Sequence, residues 1–116
     1  MLIDTHAHLT DERYFGAKDI IDNMQADRLE KIITVSYDLQ SSIESVALAQ
    51  NNKNIYCAVG VHPDNAQHLT SDPCDELLKL SREEKCVAIG EIGLDYFYES
   101  TEKDKQNYWL DRQFEL

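Results

Sequence analysis

The chain has 116 residues, 22 of them Asp or Glu and 11 Lys or Arg, for a formal net charge of -11. Its hydrophobic fraction of 42% is enough to build a core, which argues against disorder, and no apolar run approaches the ~20 residues that a membrane span needs. An acidic field repels polyphosphates unless bound cations or a basic patch reverse it, and the basic residues here are scattered, so the usual nucleic-acid footprint is missing.

The N-terminus carries Asp4, His6 and His8 and lacks the basic stretch that opens a secretory signal. Cys57, Cys74 and Cys86 are odd in number and show no paired metal or redox spacing. They read as reduced thiols, and the expected location is cytoplasmic.

Leu2-Ile3 opens a first strand. Residues 17–29 form a helical pattern with Ile20, Ile21, Met24 and Arg28 on one face. Ile32-Ile33-Thr34-Val35 reads as a second strand. In the next helix Ser41 stands three residues before Glu44, the spacing of a capping box, and Ile43, Val46, Ala47 and Gln50 follow. Ile55-Tyr56-Cys57-Ala58-Val59 is a third strand. Asp72-Pro73 starts a third helix, an N-cap and then a proline at the first helical position, which buries Leu77, Leu78 and Leu80. Val87-Ala88-Ile89 is a fourth strand, and a fourth helix begins near Ser100-Thr101 with Trp109, Leu110, Gln113 and Phe114 on its half-apolar face.

The strands are short and apolar throughout, as expected of strands covered on both faces. Four strand–helix repeats without a linker or internal sequence repeat imply an α/β fold with parallel strands and crossover helices. No Gly-rich loop follows the first strand, which leaves the dinucleotide-binding sheet without support. The expectation is a single region over residues 1–116 that forms the first half, about four β/α repeats, of a (β/α)8 barrel, whose usual length is ~250 residues.

Chemistry in such folds gathers at the carboxyl ends of strands. Strand one ends in Asp4-Thr5-His6-Ala7-His8, strand three in Gly60-Val61-His62-Pro63, and strand four in Gly90-Glu91-Ile92-Gly93-Leu94-Asp95. Two residues apart on an extended segment, His6 and His8 point to one face with α-carbons ~6.5 Å apart, which lets two imidazoles converge on one cation. Asp4 shares their parity and either orients an imidazole or bonds the backbone. Glu91 has the parity of Val87 and Ile89 and lies at the mouth of the expected barrel. His62, held extended by Pro63, is a candidate for phosphate binding, for acid–base work or for a loop cap. Asp95 and Tyr96 follow in the same loop, and His68 reads as a non-catalytic loop residue.

These segments resemble the TatD family of metal-dependent deoxyribonucleases. The match rests on Met1-Leu2-Ile3-Asp4-Thr5-His6-Ala7-His8-Leu9, Ala58-Val59-Gly60-Val61-His62-Pro63 and Gly90-Glu91-Ile92-Gly93-Leu94-Asp95-Tyr96, in order and in register over the whole chain. The resemblance implies a TIM-barrel hydrolase that cleaves DNA phosphodiesters from the 3′ end. It implies two divalent ions (Mg, Mn or Zn), with His6 and His8 as ligands of one, Glu91 bridging both as a metal-binding and catalytic residue, and His62 and Asp95 near the substrate. It also implies two further histidines and an aspartate on later strands, which do not occur in these 116 residues.

The chain by itself is therefore expected to be inactive. Two alternatives stand beside the nuclease reading. One is a catalytically dead half-barrel that binds a partner or forms a homodimer through its free strand edges. The other is a metallohydrolase of amide or ester bonds, including deacylation of mischarged tRNA.

Overall fold

A computed structural model describes residues 2–14 and 17–116; Met1, the first residue of the His-x-His motif segment, lies outside the described residues. The β-branched and aromatic runs form four strands, β1 (Leu2–Ala7), β2 (Leu29–Val35), β3 (Ile55–Val59) and β4 (Cys86–Ile89). They pair in parallel in the order β1-β2-β3-β4. Between them lie a single 3-10 turn (Glu12–Tyr14) and the helices α1 (Lys18–Asn23), α2 (Leu39–Asn51), α3 (Pro63–Ala66) and α4 (Cys74–Ser81), and α5 (Lys103–Phe114) follows β4. Four consecutive β/α units in spatial sequence order are what a barrel requires and a doubly wound sheet, with its reversal of order, does not show.

The helices cover one face. There α2 packs on β2 and β3, and α4 on β3 and β4. Ile32, Val46, Ala49, Ile55, Cys57, Val59 and Leu77 form the centre of the core, with Trp109 of α5 at its margin.

Several local expectations are corrected. The first helix stops at Asn23 rather than running to residue 29, because the chain turns through Arg28 in the left-handed region, φ 60°, and Leu29 N–H closes on the Met24 carbonyl at 2.8 Å. The cap of α2 is Asp38, not Ser41. The Asp38 carboxylate accepts from Ser41 N–H at 2.7 Å, and Ser41 Oγ accepts from Asp38 N–H at 3.0 Å. The face of α2 packed on β2 and β3 carries Ser42, Ser45, Val46 and Ala49, while Ile43, Ala47 and Gln50 are exposed. Ser42 is tolerated inside because it satisfies backbone groups: its Oγ accepts from Gly60 N–H at 3.2 Å and donates to the Asp38 carbonyl at 2.7 Å, whereas Ser45 Oγ is buried without a hydrogen-bond partner among the described residues. In α4 the N-cap is Pro73 and the first helical residue Cys74, whose N–H is taken by the Asp72 carboxylate at 2.8 Å. A short turn of helix, α3, follows His62 where a loop was expected.

Coverage of the strands is uneven. β2 and β3 are covered, but Leu2 (61% exposed), Ile3 (54%) and Val87 (51%) are open, because β1 and β4 are the sheet edges and pair on one side only. The expectation that all four strands are covered on both faces fails for those two.

The helix α5 contributes more than an apolar face. Phe114 is exposed, whereas Gln106 and Gln113 are buried. Gln113 accepts from Val61 N–H at 2.7 Å and donates to the Val61 carbonyl at 3.1 Å. Gln106 grips Asp95 in the same two-point way, at 2.8 and 3.0 Å. Two amides seven residues apart on one helix thus hold the backbone of the loops after β3 and β4. Replacing Gln113 by Leu keeps the volume and strands both polar groups of Val61. We expect a loss of about 1–3 kcal/mol in urea unfolding with an unchanged slope, against a near-zero effect if the clamp is incidental.

Candidate metal centre

β1 and β4 are separated by three strand spacings, ~14 Å in a flat sheet at ~4.8 Å each, so a side chain following β4 does not reach one following β1 unless the chain crosses over. Two contacts make that crossing. Gly90 N–H donates to the Val59 carbonyl at 2.8 Å, and Glu91 N–H reaches past β3 to the Ser36 carbonyl at 2.7 Å. The path passes directly over Gly60. A β-carbon placed on Gly60 would lie 2.9 Å from the Gly90 carbonyl carbon and 3.1 Å from its α-carbon, both rigid backbone. Gly60 is needed here for absence of volume. Gly93, at φ +152°, then turns the loop away in a conformation that side-chain-bearing residues rarely adopt.

The outcome is a cluster of three donors. His6 Nε2 and His8 Nε2 each lie 3.7 Å from Glu91 Oε2, and one ligand atom from each residue falls within 4.8 Å of the others. The two imidazoles meet edge to face, with ring centres 5.0 Å apart. At 3.7 Å the nitrogen–carboxylate separations are too long for hydrogen bonds. They are close to the ~3.4 Å between two ligands of one tetrahedral cation bound at ~2.0–2.1 Å. Among the described residues this is the one group of three or more His, Cys, Asp or Glu side chains so arranged.

The hydrogen bonds around the cluster fit a metal. His8 Nδ1 lies 2.8 Å from the Val35 carbonyl oxygen, which can only accept. Nδ1 therefore carries the proton, and the Nε2 lone pair is bare and faces Glu91. Tyr37 stands beside the His8 ring at 6.2 Å, and burial with nearby acids pushes its phenol above its usual pKa, so it stays neutral. Asp11, three residues after His8, is committed elsewhere: Arg13 forks onto it at 2.6–3.0 Å and holds its carboxyl down at about 2. Asp4 bonds the backbone, accepting from His6 N–H at 2.9 Å, and so steers His6 through the main chain.

The structure brings His6, His8 and Glu91 together and leaves His62 and Asp95 outside that group. His62 is the N-cap of α3, its Nδ1 accepting from Asp64 N–H at 3.2 Å. That contact selects the tautomer opposite to that of His8, with the hydrogen on Nε2. The Asp95 carboxylate accepts from Phe97 N–H at 3.0 Å, closing a turn. His68 is exposed, with a contact to Gln67 at 3.4 Å. Sequence reasoning missed Gln106, Gln113 and the positioning role of Gly60. A glutamine in the periodic face of α5 was the available signal.

The family model for TatD-related DNases matches residues 3–116. The chain belongs to the TatD-related DNase family. Among TatD-type relatives, the Bacillus subtilis metal-dependent hydrolase YabD is 36% identical over 117 residues, covering 100% of this chain and 46% of YabD. The Escherichia coli metal-dependent hydrolase YjjV is 31% identical, covering 98% of this chain and 45% of YjjV. The crystal structure of YjjV, a TatD homologue, superposes with a TM-score of 0.83 at 29% identity, and the four-stranded unit matches the N-terminal half of that TIM barrel. The chain spans about half the length of the relatives it matches.

The Gly60 contact yields a test that leaves all three donors in place. We expect Gly60→Ala to displace the Gly90-Glu91 backbone and weaken Mn2+ binding by ~10–100-fold, the range for lost support of metal ligands. Calorimetric titration checks it; unchanged affinity would show that the cluster does not depend on the crossing.

Proposed function

We propose that this TatD-type metal-dependent hydrolase is a deoxyribonuclease that cleaves DNA phosphodiester bonds from the 3′ end. The observation that carries the proposal is the convergence of two imidazole nitrogens and one carboxylate from opposite sheet edges on a single point at the carboxyl ends of the strands.

His6 and His8 would hold a divalent cation through Nε2, and Glu91 would offset part of its charge. When bound, a divalent ion supplies a Lewis acid for a phosphoryl oxygen and makes water a stronger acid near neutral pH. Three donors serve one ion; a second, ~3.5–4 Å away, needs ligands beyond these. The Nε2–H of His62 donates to a phosphate oxygen, a role open to it because its Nδ1 is occupied by the α3 cap. Asp95, its backbone gripped by Gln106, would meet the substrate from the loop after β4. A cation also answers the electrostatic problem, since a chain of net charge -11 otherwise repels a polyanion.

The test is a 5′-labelled single-stranded oligodeoxynucleotide with Mg2+, Mn2+ or Zn2+ and the protein that carries this chain. The expected result is metal-dependent shortening from the 3′ end, reduced about 10²–10³-fold by His6→Ala or Glu91→Ala. Undiminished shortening by those variants, or cleavage of amide or aminoacyl-ester substrates alone, contradicts it.

The exposed edges favour a second reading for the 116-residue chain on its own, a homodimer through strand pairing. Leu2 and Ile3 on β1 and Val87 on β4 present apolar side chains beside unpaired strand edges. Sedimentation velocity is expected to show a concentration-dependent dimer that Ile3→Lys and Val87→Lys abolish. A monomer at all concentrations contradicts it.

A further inference from the structure

Cys57 and Cys86 are 29 positions apart in sequence and are register partners on the adjacent parallel strands β3 and β4. Adjacent strands lie ~4.8 Å apart, inside the ~4.4–6.8 Å window of α-carbon separations that a disulfide spans. Both side chains belong to the helix-covered side of the sheet: Cys57 is part of the central core, and Cys86 packs against it. Both are free thiols. The pairing register shifts immediately after this pair, where Ala58 pairs with Ala88, so β4 is locally irregular and able to adjust.

Access is asymmetric. Cys57 is fully buried, whereas Cys86 is half-buried and opens on a cleft of about 250 Å³ lined by Ser81, Val87, Ala88, Ile89 and Leu116. From these placements we propose that Cys57 and Cys86 are a thiol-modification site, a dithiol that small-molecule disulfides such as oxidised glutathione convert to an intramolecular bridge between β3 and β4.

The chemistry divides between the two sulfurs. The Cys86 thiolate attacks one sulfur of the small disulfide, forming a mixed disulfide and releasing one thiolate. Cys57 then gives up its proton and attacks Cys86 Sγ. The bridge forms and the second small thiol leaves, so two protein thiols are oxidised and one small disulfide is reduced to two thiols. The electrostatics agree with that order. Interaction with the Cys57 side chain brings Cys86 down to about 7, and the same interaction together with burial pushes Cys57 up, while the Cys57 thiol donates to the Lys85 carbonyl at 3.7 Å. Cys74 is an internal control: burial at the start of α4 raises it to about 11. The bridge would sit three residues before Gly60 and four before Gly90, on the two strands whose contact seats Glu91.

The experiment incubates the chain with oxidised glutathione and follows thiol titre, intact mass and a non-reducing peptide map. The expected result is a fall from three titratable thiols to one, loss of two hydrogens in mass, a Cys57–Cys86 peptide, and reversal by dithiothreitol. Cys74→Ser is expected to behave the same way, and Cys57→Ser to stop at a stable glutathione adduct on Cys86. A lasting adduct on the unaltered chain, a bridge involving Cys74, a disulfide-linked dimer, or an unchanged titre would overturn the proposal.

Discussion

The arrangement depends on one close approach, backbone against backbone, between Gly60 and Gly90. Hydrophobic burial assembles the sheet and its helices, but it leaves β1 and β4 at opposite edges. Without the crossing over Gly60 their carboxyl ends share no side-chain contact. Gly90 bonds to the end of β3 and Glu91 to the end of β2, so the chain that leaves the fourth strand is carried back towards the first in two hydrogen-bonded steps. The volume missing at Gly60 is what lets these steps fit. The candidate site rests on the absence of a side chain at Gly60 as much as on His6, His8 and Glu91.

Once the crossing is made, polar rather than apolar contacts hold the rim. Two buried glutamines of α5 bond both backbone groups of Val61 and of Asp95, and the buried peptide groups of Val61 have no other partner among the described residues. A third, Gln67, accepts from Glu102 N–H at 2.9 Å and ties the start of α5 to α3. The loops that carry His62 and Asp95 are thereby held by helix-borne amides, which are stiffer supports than loop-to-loop contacts. The two histidines at the rim also divide their work by hydrogen bonding. His8 donates from Nδ1 to a carbonyl, which leaves the Nε2 lone pair bare, while His62 accepts at Nδ1, which leaves its hydrogen on Nε2.

Much of this was legible in the sequence. Alternating apolar strands and helical patterns led to parallel β/α units in chain order, and the two-residue period of an extended segment put His6 and His8 on one face. The parity of Val87, Ile89 and Glu91 pointed the acid toward the mouth. The errors have physical causes. Capping-box spacing is satisfied by Ser41 and Glu44, but Asp38 is the cap because its carboxylate reaches Ser41 N–H; the inward face of α2 is set separately by packing on β2 and β3. Arg28 broke a helix that periodicity alone extended. Periodicity places Gln113 in an apolar stripe and does not single out Gln106, because only the folded chain shows which backbone groups need partners. The pairing of Cys57 with Cys86 was hidden because sequence spacing carries no information about strand register.

The central claim is that three side chains from the two sheet edges share one ion. X-ray absorption at the zinc edge on the chain loaded with one equivalent of Zn2+ tests it most directly. The account predicts two imidazole nitrogens at ~2.0–2.1 Å and carboxylate oxygen at ~2.0–2.2 Å, with one imidazole lost in His6→Ala and in His8→Ala. A spectrum dominated by sulfur, or by oxygen with no imidazole scattering, would contradict it.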